Sequence, residues 1–207
     1  MLMKIVIRPP DSIQLLVNRA YTLPADYQPN DLVIPEVRSL HKKAVEPRYL
    51  RSVAAEPLAK LFNAVFLATG VELVARSGYR SYETQCRLFG SRARIRGVER
   101  ANLTTAKPGQ SEHQTGLAMD VTSKNVGYQL STGFGATKEG RWISDNANHY
   151  GFIIRYPAGW EKVTGYDYEP WHLRYLGVEL SAELYRTGLT MEAYHEKGKP
   201  RRRQGSP

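Results

Sequence analysis

The chain has 207 residues, of which 42% are hydrophobic, with a formal charge of +9 and a single cysteine, Cys86. That length supports one well-packed domain and leaves little for a second. One cysteine excludes an intrachain disulfide framework and a thiolate zinc cluster.

The first thirty residues lack the apolar run of about 7–15 residues that a signal peptide needs, and no run of about 20 apolar residues suggests a transmembrane segment. As written, the chain is therefore expected to be soluble and cytoplasmic. Residues 1–44 are rich in Pro, Asp and Asn, and "LPADYQPNDLVIPEV" reads as an extended N-terminal arm packing on a domain at 45–192. Between Val53 and Gly70, Leu58, Leu61, Phe62 and Val65 recur at helical spacing, with Gly70 as the stop. "VELVARSGYRS" then alternates like a strand and ends on a glycine turn. A second helix is expected from Ser81, with Cys86, Leu88 and Phe89 on it and Cys86 taken as a small buried hydrophobe.

A loop is expected up to Gln110. After "SEHQTGLAMDVTS" (111–123) come a helix carrying Trp142, Ile143, Asn146 and Tyr150, a short strand, the strand "HLRYLG" and a closing helix capped by Ser181. Helices and strands mix without a regular βαβ alternation, which predicts a single α+β domain with a small, mainly antiparallel sheet flanked by helices. The end, 193–207, holds Lys197, Lys199, Arg201, Arg202 and Arg203 against Glu196 and is expected to be a disordered basic tail. Nucleic acid is not an expected partner, since the excess charge is concentrated there.

If "GLAMDV" is a strand, Leu117, Met119 and Val121 face the core, while Gly116, Ala118 and Asp120 line the other side. That side has no bulk before the Asp120 carboxylate, so a cleft is expected along it, with His113 folding back toward Asp120. "YDYEPWHLRY" (166–175) adds Glu169 and His172, and Pro170 argues against a continuous helix there. His113, Asp120 and His172 would leave zinc an open fourth position, the mark of a catalytic site. Water bound there would have its pKa lowered to about 7, and Glu169 would be its general base. No His-Glu-x-x-His helix is present, which excludes the zincin arrangement.

"SGYRS" (77–81), "SEHQTGLAMD" (111–120) and "EPWHLRY" (169–175) resemble the zinc D-alanyl-D-alanine carboxypeptidases of the VanY and LdcB type, peptidase family M15, which trim peptidoglycan stem peptides. The resemblance runs from about Leu15 to about Gly177. It implies one zinc per chain on His113, Asp120 and His172, Glu169 as base, Arg80 stabilising the oxyanion, and Gln85 and Ser111 holding the terminal D-alanine. A fixed guanidinium beside the metal is also the physical expectation for Arg80.

The expected partner is a stem peptide or its precursor, and the expected state a monomer. D,D- and L,D-specificity both remain open, because the discriminating pocket would be set by loops such as 124–140. An endolysin-like endopeptidase with the same site and a non-catalytic, zinc-stabilised wall-binding module are the alternatives. A cell-wall role would place a trimmed or lysis-released form at the extracytoplasmic face.

Overall fold

The computed structural model describes residues 5–6 and 12–197; the segment 198–207 of the basic tail lies outside them. In chain order the elements are β1 (Ile5–Val6), β2 (Tyr21–Thr22), β3 (Leu32–Val33), β4 (Leu50–Arg51), α1 (Ser52–Thr69), β5 (Val74–Ser77), α2 (Tyr82–Arg96), α3 (Val98–Thr104), β6 (Ala118–Thr122), α4 (Lys138–Asn146), β7 (Phe152–Tyr156), α5 (Glu161–Thr164), β8 (Glu169–Tyr175), α6 (Val178–Thr187) and α7 (Met191–Lys197). An antiparallel sheet in the order β5-β6-β8-β7 forms the centre of this α+β fold. Two small ribbons, β1 with β2 and β3 with β4, accompany it. Among the described residues no helix is long and apolar enough to cross a membrane.

The two faces of the sheet differ in chemistry because side chains alternate along each strand. Met119, Val121, Phe152, Leu173 and Tyr175 point into the main core, where Leu58, Leu61, Phe62 and Val65 of α1 and Ile143 of α4 meet them. Each fully buried Leu or Ile in this layer contributes about 1.5–3 kcal/mol. Helix α1 stops where periodicity placed its end: Gly70 adopts φ 67, the left-handed conformation of a glycine C-cap.

Ala118, Asp120, His172, Arg174, Ile153 and Arg155 lie on the opposite face. Buried Arg174 pins the N-terminal segment there by donating from Nη2 to the carbonyls of Ile13 and Leu15, at 2.9 and 3.0 Å. Helices α6 and α7 close that side with Leu180, Leu184 and Met191 around Leu16 and Leu176.

Several expectations need correction. The stretch before Gln110 contains α3. Cys86 is exposed, because α2 turns Gln85 inward instead. Ser181 does not cap the closing helix: α6 starts after Gly177, and the Ser181 hydroxyl donates to the carbonyl of Asn148 at 2.9 Å. Gly188, at φ 65, divides that helix from α7, which carries helical structure through Lys197 into the segment expected as tail. The small-residue face of β6 does not line an open cleft along its whole length. Ala118 stands opposite the fully buried Arg174, and a Cβ at Gly116 (φ 66) would lie 2.9 Å from Leu32 Cδ2. Small side chains there make room for protein.

Candidate active site

Asp120 of β6 pairs directly with His172 of β8, so their side chains project on the same face of the sheet. His113 comes from the short 3-10 turn Glu112–Thr115, which Gly116 closes in a left-handed conformation. Ligand atoms of His113, Asp120 and His172 all lie within 4.8 Å of one another, and all three residues are buried. His113 Nε2 is 3.3 Å from Asp120 Oδ2, and His172 Nδ1 is 3.0 Å from Asp120 Oδ1.

The remaining ring nitrogens have their own partners. His113 Nδ1 lies 2.8 Å from the carbonyl oxygen of Gly78, which can only accept, so Nδ1 carries the proton and the Nε2 lone pair faces inward. His172 Nε2 lies 3.3 Å from Glu112 Oε2. Two imidazole nitrogens and a carboxylate, each imidazole oriented by a second hydrogen bond, make a donor set that fits zinc with a position left open.

Gly78 is small for a reason visible in the packing. A Cβ there would sit 2.3 Å from the carbonyl oxygen of Tyr49 and 2.9 Å from Met119 Cε. Gly78→Ala is expected to cost about 3 kcal/mol of stability. Thermal unfolding checks this, and an unchanged melting temperature would contradict the packing described.

Burial alone would raise the Asp120 carboxyl, but the charges and hydrogen bonds of His113 and His172 outweigh it and hold the group far below the usual carboxylate range. Burial would lower His172, yet its hydrogen bonds to Asp120 and Glu112 and their charges bring it up to about 9. These carboxylates call for positive charge at the ring, and a proton on it or a metal ion beside it meets that demand. His113 is pushed down, first by burial.

Glu169 opens β8 where the pairing with β7 slips between Ile154 and Tyr156, next to Pro170, which has no N–H to give the ladder. Its Oε2 is 3.9 Å from His172 Nδ1, the nitrogen that faces Asp120. Burial pushes this carboxyl up to about 8, with the Asp120 charge adding to the shift. A carboxyl poised near neutrality can take and return a proton.

Arg80 lines the same cleft, which has a volume of about 420 Å³. Its Nη1 donates to Gln85 Oε1 at 2.9 Å, its Nη2 donates to Ser77 Oγ at 2.8 Å, and its backbone N–H donates to the carbonyl of His113 at 3.1 Å. Burial lowers its pKa, while Asp120 and Glu169 raise it. Gln85 also donates from Nε2 to the carbonyl of Ala106 at 2.6 Å, so its amide braces the Arg80 guanidinium. Ser111 lines the cleft, and its hydroxyl does not cap the following turn. Trp171 and Tyr156 complete the wall near the histidines, the Tyr156 ring centroid standing 5.0 Å from that of His172.

Sequence reasoning overlooked Glu112, Arg155, Tyr156 and Glu192. Glu112 was in plain view within "SEHQTG", but a fully buried acid leaves no periodic trace, and its cationic partner Arg155 lies 43 residues away. Tyr156 carries no motif of its own.

The model of the family described as VanY, D-alanyl-D-alanine carboxypeptidase, matches residues 47–178. YodJ of Bacillus subtilis (strain 168) is 47% identical over 193 residues, which span 93% of this chain and 70% of that protein. Among solved structures, the LdcB LD-carboxypeptidase superimposes with a TM-score of 0.90 at 46% identity, covering 95% of this chain and 91% of that one. A VanY mutant from a VanB-type resistance cassette, solved in complex with Zn(II), gives a TM-score of 0.70 at 30% identity, covering 88% of this chain and 98% of that one. Sequence, fold and a three-residue site positioned for the same kind of ion agree: the chain belongs to the VanY family of D-alanyl-D-alanine carboxypeptidases, which are zinc hydrolases.

Proposed function

We propose that this protein removes the C-terminal D-alanine from peptidoglycan stem peptides, with His113, Asp120 and His172 holding zinc. The observation that carries the reading is that Glu169 and Arg80 line one cleft with these three residues. Of the two solved likenesses, LdcB is the nearer, which favours the L,D reaction on the tetrapeptide over the D,D reaction on the pentapeptide.

Zinc, when bound, supplies a Lewis acid that polarises the scissile carbonyl and acidifies water. The chain's own residues supply the rest. Glu169 accepts a proton from the attacking water and delivers it to the departing amine, so that the water oxygen joins the carbonyl carbon as the C–N bond breaks. Arg80, pre-set by Gln85 and Ser77, stands ready for the negative charge that gathers on the carbonyl oxygen. Gln85 acts through Arg80, and Ser111 offers a hydroxyl to the terminal residue of the peptide.

Mass spectrometry of muramyl tetra- and pentapeptides incubated with the zinc-loaded protein tests the reading. Loss of one alanine from the tetrapeptide, abolished by a chelator, is expected. Loss from the pentapeptide alone would reverse the specificity, release of a peptide fragment would indicate an endopeptidase, and no cleavage would leave a binding module.

A further inference from the structure

Glu112 sits at the centre of a buried chain of charges that runs from the site to α7, where Asn18 of the N-terminal segment joins it. Its Oε2 faces His172 Nε2 at 3.3 Å, while its Oε1 accepts from Arg155 Nε at 2.7 Å and lies 3.3 Å from Arg174 Nη1. Arg155 in turn grips Glu192 of α7 with both terminal nitrogens, Nη1 to Oε2 at 3.0 Å and Nη2 to Oε1 at 2.5 Å. Asn18 of the N-terminal segment donates to the same Glu192 at 3.1 Å. Glu112, Arg155 and Arg174 are each at most 1% exposed, and Glu192 is 8% exposed.

Glu112 and Glu192 are matched in number by the guanidinium groups of Arg155 and Arg174, and Glu112 still raises the proton affinity of the His172 ring. The second oxygen of Glu112 needs a donor, and among the described residues the His172 ring is the one placed to offer it. A hydrogen on Nε2 leaves the lone pair on Nδ1, the nitrogen that faces Asp120.

We propose that Glu112 is a positioning residue that selects the metal-binding tautomer of His172, and that α7, through Glu192 and Arg155, is part of the support on which zinc affinity depends. Helix α7 lies beyond the residues 47–178 matched by the family model. The proposal rests on the reading that His172 holds zinc.

Glu112→Gln tests it while keeping the shape of the side chain. The glutamine would turn its oxygen to Arg155 and its NH₂ to His172 Nε2, drawing the ring hydrogen to Nδ1, where the metal must bind. Zinc affinity, read by competition with a chromophoric chelator, is expected to fall about 10–100-fold. Nitrogen-15 NMR of the metal-free protein, recorded above the pH of about 9 at which the His172 ring loses its second proton, is expected to show the neutral ring changing from the Nε2–H to the Nδ1–H form. Glu192→Gln should weaken zinc by a smaller factor and supplies the readout if Glu112→Gln does not fold.

A folded Glu112→Gln protein that binds zinc within about twofold of the parent, with the tautomer unchanged, would reduce the network to a structural ion cluster and overturn the proposal. Unchanged affinity in Glu192→Gln would remove α7 from it. A parent protein that binds no zinc would instead defeat the metal-site reading itself.

Discussion

Glu169→Ala protein is expected to retain one zinc per chain and to turn over stem peptide about 10²–10⁴-fold more slowly than the parent, the range that a positioned general base contributes. Zinc content by plasma mass spectrometry and alanine release measured on the same sample separate the two effects. The expectation follows from position and environment. The Glu169 carboxylate is 3.9 Å from the inward nitrogen of His172, yet it lies outside the group whose ligand atoms cluster within 4.8 Å. Its removal therefore leaves the three donors in place. Burial raises its carboxyl to about 8 with no ion present, and a cation held by the three donors would draw it back toward the ionised form that a base needs. Glu169→Gln should behave in the same way, since it keeps the volume and loses the basic oxygen. Parental turnover in either variant would end the general-base assignment.

His172→Ala should fail in a different manner, losing zinc and turnover together. The variant removes one of three donors and also leaves Asp120 and Glu112 without the ring that each approaches, at 3.0 and 3.3 Å. Taking one partner from a buried ionic arrangement typically costs about 3–5 kcal/mol. The metal-free variant should accordingly melt below the metal-free parent. Zinc should raise the melting temperature of the parent, as any ligand of the native state does, and leave that of the variant unmoved. Calorimetry of both proteins with and without chelator reads all four values. A zinc-dependent shift that survives in His172→Ala would exclude this residue as a ligand.

Features marked by period or by residue type could be read in the sequence. Helix α1 was legible because Leu58, Leu61, Phe62 and Val65 repeat at helical spacing and Gly70 ends the run. The meeting of His113, Asp120 and His172 was legible because metal-binding residue types stand in two short motifs, one of them alternating as a strand does. Helix α2 was found, but its inner face was misjudged. The residue it turns inward is Gln85, held by Arg80 and by the carbonyl of Ala106, which rotates the neighbouring Cys86 to solvent.

The space beside Ala118 was misread for a related reason. Nothing in "GLAMD" reveals that Arg174 will fill it from the next strand. Buried arginines and glutamates resemble surface residues in a linear sequence, and only their pairing across strands and helices shows otherwise.

The direct pairing of Asp120 with His172 has a consequence for how such a protein can change over generations. The separation of those two residues is set by the hydrogen-bond ladder between neighbouring strands, the most rigid measure a fold possesses. Residues 123–137, by contrast, join β6 to α4 outside the sheet and bring Leu130 and Thr132 to the cleft wall. A change in the length or sequence of that connection would reshape the cleft wall while leaving untouched the ladder that spaces the pair. Substrate preference and the centre that performs hydrolysis can then evolve at different rates within one chain.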